Sequence, residues 1–301
     1  MSALAHAPAP QASARFIEAP ILFPGADAAQ GVLVGIETVP AGLAADRLGV
    51  VVVVGGPQTR VGSHRQFVSL ARGLAARGVV SLRFDYAGMG DSPGPLPDFE
   101  RTGGDIRAAT DALLSRHAEL RGVVLWGLCD GAAAALLHAQ HDPRIKGVIG
   151  ANPWARSPRT QAAAIASTHY RAQLRSGRFW LRLLRGEVAI ASALRSAMGI
   201  VLQARRREAP AADGGTAAPL PTRLQAAIRA LQVPARFLLC PADLTGAEFE
   251  QVMAPSGLLA RDGISTLRFE GADHTFSSRE DWQRAVDASA DFVLALGEAH
   301  E

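Results

Sequence analysis

The stretch that most restricts the fold of this chain is an apolar run that leads into the pattern Gly-x-Cys-x-Gly. Residues 123–128 form the run, Cys129 lies at the centre of the pattern, and an alanine-rich helical segment follows. A strand, a sharp turn and a helix in this order expose the central side chain above a sheet, because the small flanking residues permit a strained backbone. A buried structural cysteine is the simpler alternative. The pattern favours a nucleophile, since a thiolate attacks activated acyl groups readily.

Two later strand ends carry side chains that would complete a catalytic triad. Phe237–Cys240 reads as a short buried strand and is followed by Asp243, and Thr266–Phe269 reads as another and is followed by His274. Nucleophile, acid and histidine follow in this order in α/β-hydrolases. The sequence therefore predicts that Cys129 attacks, that His274 removes its proton, and that Asp243 orients the imidazole.

Three other aspartates compete for roles near this site. Asp273 directly precedes His274 and would need an unusual backbone to reach the imidazole, so Asp243 is favoured as the acid. Asp85 and Asp91 belong to a Gly-rich turn that ends at Ser92. We expect them to cap that turn rather than to take part in catalysis, with the glycines permitting its tight backbone.

The loop after the apolar strand Val50–Val54 is expected to donate one amide to an oxyanion hole. Pro57 has no N–H group, so the donor is Gly56 or Gln58, and we favour Gln58. The second donor is expected to be Asp130, which directly follows the nucleophile.

Apolar strands alternate with amphipathic helices along the chain, after an opening antiparallel hairpin. This order predicts an α/β-hydrolase fold, which is a doubly wound, mostly parallel sheet, here with a helical lid insertion. The expected division is a disordered segment at 1–15, a catalytic core at 16–151 and 232–301, and a helical lid or cap at 152–231.

The predicted lid is strongly basic, with eleven arginines against two acidic residues between Trp154 and Glu208. Its helix can pack one face on the core and leave the arginines in solvent. Alternatively, the arginines bind an anionic partner, an acyl carrier protein or coenzyme A, or attach the helix to a membrane surface. The candidate substrate and lid residues are Trp154, Tyr170, Arg175, Arg178 and Arg182.

Composition excludes several other classes of protein. The net charge is only +3 and thirty of the thirty-one basic residues are arginine, without a nucleic-acid-binding motif, so no nucleic-acid partner is expected. The two cysteines lack metal-ligand spacing and predict neither a disulfide framework nor a metal site, and no cofactor is expected.

A signal peptide and a bilayer-spanning run of about 18 apolar residues are not recognisable. We therefore expect a cytoplasmic protein without stable membrane insertion.

Several motifs together resemble the exosortase A system-associated hydrolases, type 1, from about Ile17 to the C-terminus. The resemblance implies an α/β-hydrolase fold and a genetic setting concerned with exopolysaccharide and protein sorting, in which acyl-activating enzymes and acyl carriers are common. The motifs are Gly55-Gly56-Pro57-Gln58, Val61-Gly62-Ser63-His64-Arg65-Gln66-Phe67, Arg83-Phe84-Asp85-Tyr86, Trp126-Gly127-Leu128-Cys129-Asp130, Asn152-Pro153-Trp154 and Asp243-Leu244-Thr245.

These patterns favour a hydrolase that acts on a small-molecule acyl ester or thioester through a Cys-His-Asp triad and an acyl-cysteine intermediate. The first alternative is an acyltransferase that passes an acyl group from a carrier or coenzyme A thioester to a hydroxyl or amine. The second is a non-catalytic scaffold with the same fold.

Overall fold

One eight-stranded sheet organises the described part of the chain. The computed structural model describes residues 16–26, 31–43, 47–56, 58–156 and 218–298. The strands are β1 (Phe16–Pro24), β2 (Val32–Pro40), β3 (Arg47–Val53), β4 (Ser81–Phe84), β5 (Leu120–Leu128), β6 (Ile145–Ala151), β7 (Ala235–Leu239) and β8 (Ile264–Arg268). The α-helices are α1 (Gln66–Ala76), α2 (Gly103–Arg116), α3 (Asp130–Ala139), α4 (Leu220–Ala230), α5 (Leu244–Met253) and α6 (Arg279–Glu298).

The strand order is β1-β2-β4-β3-β5-β6-β7-β8. β1 and β2 form the predicted antiparallel hairpin, β2 also pairs antiparallel with β4, and the six strands from β4 to β8 are parallel. β3 and β5 are apolar apart from Arg47 and Arg121 near their beginnings, because parallel strands are covered on both faces. The predicted doubly wound, mostly parallel sheet is confirmed.

The helices pack in two groups. α1 contacts α6, and α3 contacts α2 and α4. Strands that alternate with helices in this way bury both faces of the sheet, so the loops at the carboxyl ends of the parallel strands are left to build a site. In the described part of the chain, no helix has both the length and the apolar character needed to cross a bilayer.

The strand that leads to Cys129 is anchored by Trp126. Its side chain is fully buried, and its indole Nε1–H donates to the Ser289 hydroxyl of α6 at 3.0 Å. The ring makes edge-to-face contacts with Phe67 of α1 and Trp282 of α6, at centroid distances of 5.9 and 6.1 Å. These contacts fix the end of β5 in the core, so the residues that follow have a defined position.

Only the ends of the predicted lid lie within the described residues. α4 begins at Leu220 with a proline in its first turn, where proline is favoured, and it buries Leu224, Ala227 and Ile228 against the core. Residues 157–217 lie outside the described residues, and with them Tyr170, Arg175, Arg178 and Arg182. The division of the chain at 15, 151 and 231 stays a prediction.

Candidate active site

Cys129 lies in a strained turn between β5 and α3. Its φ and ψ of 61° and −126° are outside the regions that side chains with a Cβ ordinarily occupy, at a cost of about 1–3 kcal/mol. The glycines on either side allow close packing, since a Cβ at Gly127 would lie 2.6 Å from the backbone of Gly131, and a Cβ at Gly131 would collide with the carbonyl of Val53. The half-buried thiol is presented at the carboxyl edge of the sheet, as the sequence predicts.

Asp243 and His274 come together beyond the ends of β7 and β8. His274 Nδ1 lies 2.9 Å from Asp243 Oδ2. The same carboxylate oxygen accepts the N–H groups of Thr245 and Gly246 at 3.1 and 3.0 Å and so caps α5. Burial would raise the pKa of Asp243, but these hydrogen bonds and the imidazole charge hold it below its ordinary value. Asp243 is therefore an ionised partner for a charged imidazole.

The side chain of His274 also interacts with the side chain of Cys129. Burial by itself would lower the pKa of His274, but the hydrogen bonds to Asp243 and Cys129 and their charges raise it to about 10. The structure thus brings the three predicted triad residues together in the order Asp243, His274, Cys129. This geometry can transfer a proton from a thiol to an imidazole that a carboxylate holds in place.

The rival acid, Asp273, bonds elsewhere. Its carboxylate accepts the N–H groups of Thr275 and Ser277 at 3.1 and 3.0 Å and the Ser277 hydroxyl. These bonds lower the pKa of Asp273, the largest effect coming from Ser277. Asp273 therefore closes the exposed turn that presents His274, while Asp243 bonds the ring.

Two of the residues predicted to build the oxyanion hole, Gly56 and Gln58, are hydrogen-bonded to other side chains. The Gly56 N–H donates to Oδ1 of the Asp130 side chain. The side chain of Gln58 accepts a hydrogen bond from Gln66 Nε2 at 3.2 Å, and Pro57 lies outside the described residues. The Gly56 amide is thus engaged by Asp130, whereas the roles of the Gln58 and Asp130 amides stay predictions.

Arg60, which the sequence analysis did not single out, fixes this loop to the turn after β4. Its backbone N–H donates to Asp85 Oδ1 at 2.6 Å, and its guanidinium pairs with Asp85 and Asp91. Asp85 is fully buried and also accepts the Asp91 N–H at 3.2 Å. Asp85 and Asp91 have the structural role that their turn motif predicts, and Arg60 extends it to the loop that carries Gly56.

Asn152 was also missed as a functional position. It is fully buried with a φ of 41°, a left-handed conformation that asparagine tolerates better than most residues. Its Nδ2 donates to the carbonyl of His274 at 3.0 Å, and its Oδ1 accepts the Cys240 N–H at 2.8 Å. Asn152 therefore ties the end of β6 to both loops that carry Asp243 and His274. The sequence does carry a signal for Asn152, since it is a polar residue between an apolar strand and a proline.

Trp154, predicted to contact substrate, lies beside the nucleophile. Its backbone N–H donates to the backbone carbonyl of Cys129 at 2.9 Å. The guanidinium of Arg156 stacks 4.1 Å from the Trp154 ring centroid and also pairs with the buried Glu248 at 3.2 Å. The indole is half-buried against the core, and its contact with substrate stays a prediction.

Cys240 is less accessible than Cys129. Its side chain is fully buried, and burial raises its pKa to about 12. Almost no thiolate forms at neutral pH under these conditions, so Cys240 is a structural residue.

Comparison with known proteins agrees with this architecture. Residues 46–209, more than half of the chain, match the family described as serine aminopeptidase, S33. A search of the curated proteins found no match.

Solved structures with a similar fold include several esterases. An esterase of Pyrococcus furiosus superposes with a TM-score of 0.62 at 13% identity, over 93% of each chain. A fungal esterase from Rhizomucor miehei gives a TM-score of 0.59 at 16% identity, over 95% of this chain and 85% of its own. The esterase domain of a Rhodothermus marinus protein gives a TM-score of 0.56 at 17% identity, over 92% of this chain and 97% of its own.

At these identities the similarity shows the fold, and the predicted α/β-hydrolase fold is confirmed. Together with the family match, it shows that the chain belongs to the serine aminopeptidase S33 family and is an α/β-hydrolase enzyme.

Proposed function

We propose that this protein hydrolyses acyl esters or thioesters through an acyl-cysteine intermediate on Cys129, with His274 as the base and Asp243 as its orienting acid. The observation that carries the proposal is the contact of one imidazole with both the Asp243 carboxylate and the Cys129 side chain. A non-catalytic scaffold has no need of the strained backbone at Cys129, which is retained only where surrounding structure supports it.

The geometry supports a two-step mechanism. His274 takes the proton of Cys129, and the thiolate sulfur forms a bond to the substrate carbonyl carbon while the carbonyl π electrons move to oxygen. Collapse of this intermediate restores the carbonyl and breaks the bond to the leaving alkoxide or thiolate, which takes the proton from His274. In the second step His274 removes a proton from water, and the hydroxide that forms displaces Cys129 from the acyl group.

The choice of cysteine narrows the substrate class. An acyl-cysteine is itself a thioester, so its formation from another thioester is close to neutral in energy and its formation from an activated ester is easy. An amide is a poor match, because its leaving group is a strongly basic amine that must be protonated before a thiolate can displace it. The name of the family refers to a serine aminopeptidase, whereas the proposed nucleophile of this chain is Cys129. We therefore propose esters and thioesters as substrates.

Substrates that share one acyl group test this proposal. Butyryl esters of p-nitrophenol, the butyryl thioester of N-acetylcysteamine and the butyryl amide of p-nitroaniline would be compared at pH 7. We expect turnover of the first two and a kcat/KM for the amide that is lower by several orders of magnitude. Equal rates on the amide would contradict the proposal. Transfer of the acyl group to an added alcohol or amine in preference to water would identify the acyltransferase instead.

We further propose that the chain is one of the exosortase A system-associated hydrolases, type 1. Two of the shared motifs have a structural reason in this protein. Asn152 joins three loops of the site, and Asp85 holds the loop after β3 through Arg60. Asn152 and Asp85, which belong to the motifs quoted for that family, thus hold loops of the site in place, and this supports the proposal.

An anionic acyl carrier, either an acyl carrier protein or coenzyme A, is the partner that the basic segment favours. We expect the triple variant Arg175→Glu, Arg178→Glu and Arg182→Glu to raise KM for an acyl-coenzyme A at least about tenfold, because each change replaces attraction by repulsion. KM for an uncharged p-nitrophenyl ester should change little. Added salt should reduce the difference, since the Debye length is only about 8 Å at physiological ionic strength. Equal losses on both substrates would show that the arginines support the fold instead.

A further inference from the structure

The loop that carries His274 has few hydrogen bonds to the rest of the protein. In the described part of the chain, most of its bonds stay inside residues 269–277, and Asp273 takes part in most of them. Two parts of His274 reach further. Its ring contacts the other two triad residues, and its backbone carbonyl accepts the Nδ2–H of Asn152 at 3.0 Å. The bond from Asn152 therefore fixes the loop backbone independently of the ring.

Asn152 is itself fixed by the strand and the helix next to it. Its backbone N–H donates to the carbonyl of Leu238 in β7 at 3.0 Å, and its Oδ1 accepts the Cys240 N–H at 2.8 Å. A Cβ at Gly246, in the first turn of α5, would lie only 2.6 Å from this Oδ1. The fully buried amide thus fills its site and has a defined direction.

Asparagine suits this position better than most other residues. Its carboxamide donates and accepts hydrogen bonds at the same time, so it can bond a carbonyl in one loop and an N–H group in another. The left-handed φ of 41° is one that asparagine tolerates, whereas alanine would be strained there and would make neither bond. An ionised aspartate could accept from Cys240 but could not donate to His274.

We propose that Asn152 is a positioning residue that holds the main chain of His274 and so places the imidazole between Asp243 and Cys129. The proposal rests on the ester or thioester hydrolysis proposed above and deepens it. Asn152 acts through the backbone of His274 and transfers no proton. Without it, the ring would be held only by the contacts on which catalysis depends. A displacement of about 1 Å in a catalytic group can cost about 10²-fold in rate.

The first test is the Asn152→Gly variant. Glycine adopts a positive φ without strain, so the substitution removes both side-chain bonds but keeps the turn. We expect kcat for p-nitrophenyl butyrate to fall about 10²-fold, since the ring is less well placed for proton transfer. KM should stay within about threefold of the wild-type value, because the side chain is fully buried and makes no contact with substrate.

The second measurement is the pKa of the His274 ring, followed by NMR of the protein with ¹³C-labelled histidine and assigned with a His274→Gln variant. The titratable groups that face the ring are Asp243, Cys129 and Asp130. Its bonds to Asp243 and Cys129 and their charges raise the pKa of His274 to about 10. In Asn152→Gly this pKa should fall towards the ordinary value of about 6.5, because the ring moves away from these partners.

Leu113→Ala is the control for a loss of stability alone. Leu113 is fully buried in α2 and packs beside Gly49 of β3, so its truncation leaves a cavity in the core. This variant should unfold at a lower temperature while kcat and the pKa of His274 stay at their wild-type values.

Asn152→Asp separates the two side-chain bonds. The carboxylate keeps the shape of the amide and the bond from the Cys240 N–H, but its second oxygen repels the carbonyl of His274. We expect kcat to fall at least as far as in Asn152→Gly.

The outcomes that overturn the proposal are distinct. An Asn152→Gly variant with nearly wild-type kcat would contradict it, and a fall in kcat with the pKa of His274 unchanged would assign Asn152 a structural role only. If that variant does not fold, Asn152→Asp decides, and a nearly wild-type kcat there would contradict the proposal. The proposed function fails in another way, which is wild-type turnover that does not depend on Cys129, whatever the Asn152 variants do.

Discussion

Replacement of Cys129 by alanine should lower kcat/KM for an activated ester by about 10⁴-fold or more, to a residual rate that binding alone supplies. The alanine retains the turn but removes the only atom that can bond to the acyl carbon in the proposed mechanism. The strained backbone should persist in the alanine variant, because the close packing around Gly127 and Gly131 sets the φ of 61°. The measurement is steady-state hydrolysis of p-nitrophenyl butyrate, with thermal unfolding to show that the variant is folded.

Cys240→Ala is the control for the loss of a thiol. Cys240 is buried directly after β7, and the substitution retains the hydrogen bond that its backbone N–H donates to Asn152, losing only the bond between Asn152 and the thiol. We expect activity within a few-fold of the wild type. A Cys129→Ala variant that keeps most of its activity would show that another group attacks the substrate.

Replacement of Asp243 by asparagine should lower kcat by about 10³–10⁴-fold, the size of effect seen when an orienting aspartate is neutralised in a related constellation. The carboxylate raises the pKa of His274 and fixes the tautomer in which the ring can accept the thiol proton. Asparagine is a good N-cap residue, so it should keep the bonds to Thr245 and Gly246 that begin α5. The fold should therefore survive while turnover is lost.

Asp273→Asn provides the comparison within the same loop. Asparagine can still accept hydrogen bonds from Thr275 and Ser277, so the turn between β8 and α6 should persist and kcat should fall less than about tenfold. The reverse ranking of the two variants would transfer the acid role from Asp243 to Asp273.

The sequence predicted the elements and residues whose signals are local. The apolar run before Cys129 and the small residues around it define a strand and a tight turn, and the strand ends before Asp243 and His274 are marked by short apolar segments. The order of these residues along the chain then suggested that they meet, since parallel strands end at one edge of a sheet. The 2.9 Å contact between His274 and Asp243 agrees with that expectation.

Contacts between distant loops could not be predicted in the same way. Asn152 bonds to the backbones of Cys240 and His274, and Arg60 bonds to Asp85, because the folded backbone brings together residues separated by 25 to 122 positions. The direction of the Asp130 side chain likewise depends on the position of the Gly56 amide, which is 74 residues away. The motifs that contain Asn152, Asp85 and Asp130 mark these positions, but they do not show which distant group each side chain bonds.

The most direct test of the proposed mechanism is mass spectrometry of the whole protein after brief mixing with a butyryl thioester and an acid quench. The acyl-cysteine mechanism predicts a mass increase of one butyryl group, located at Cys129 after proteolysis. The adduct should be missing in Cys129→Ala and should accumulate in a variant whose second step is slowed, such as Asp243→Asn at long incubation. Acylation at any other residue, or turnover by the wild type with no adduct at Cys129 under any quench time, would contradict the central claim.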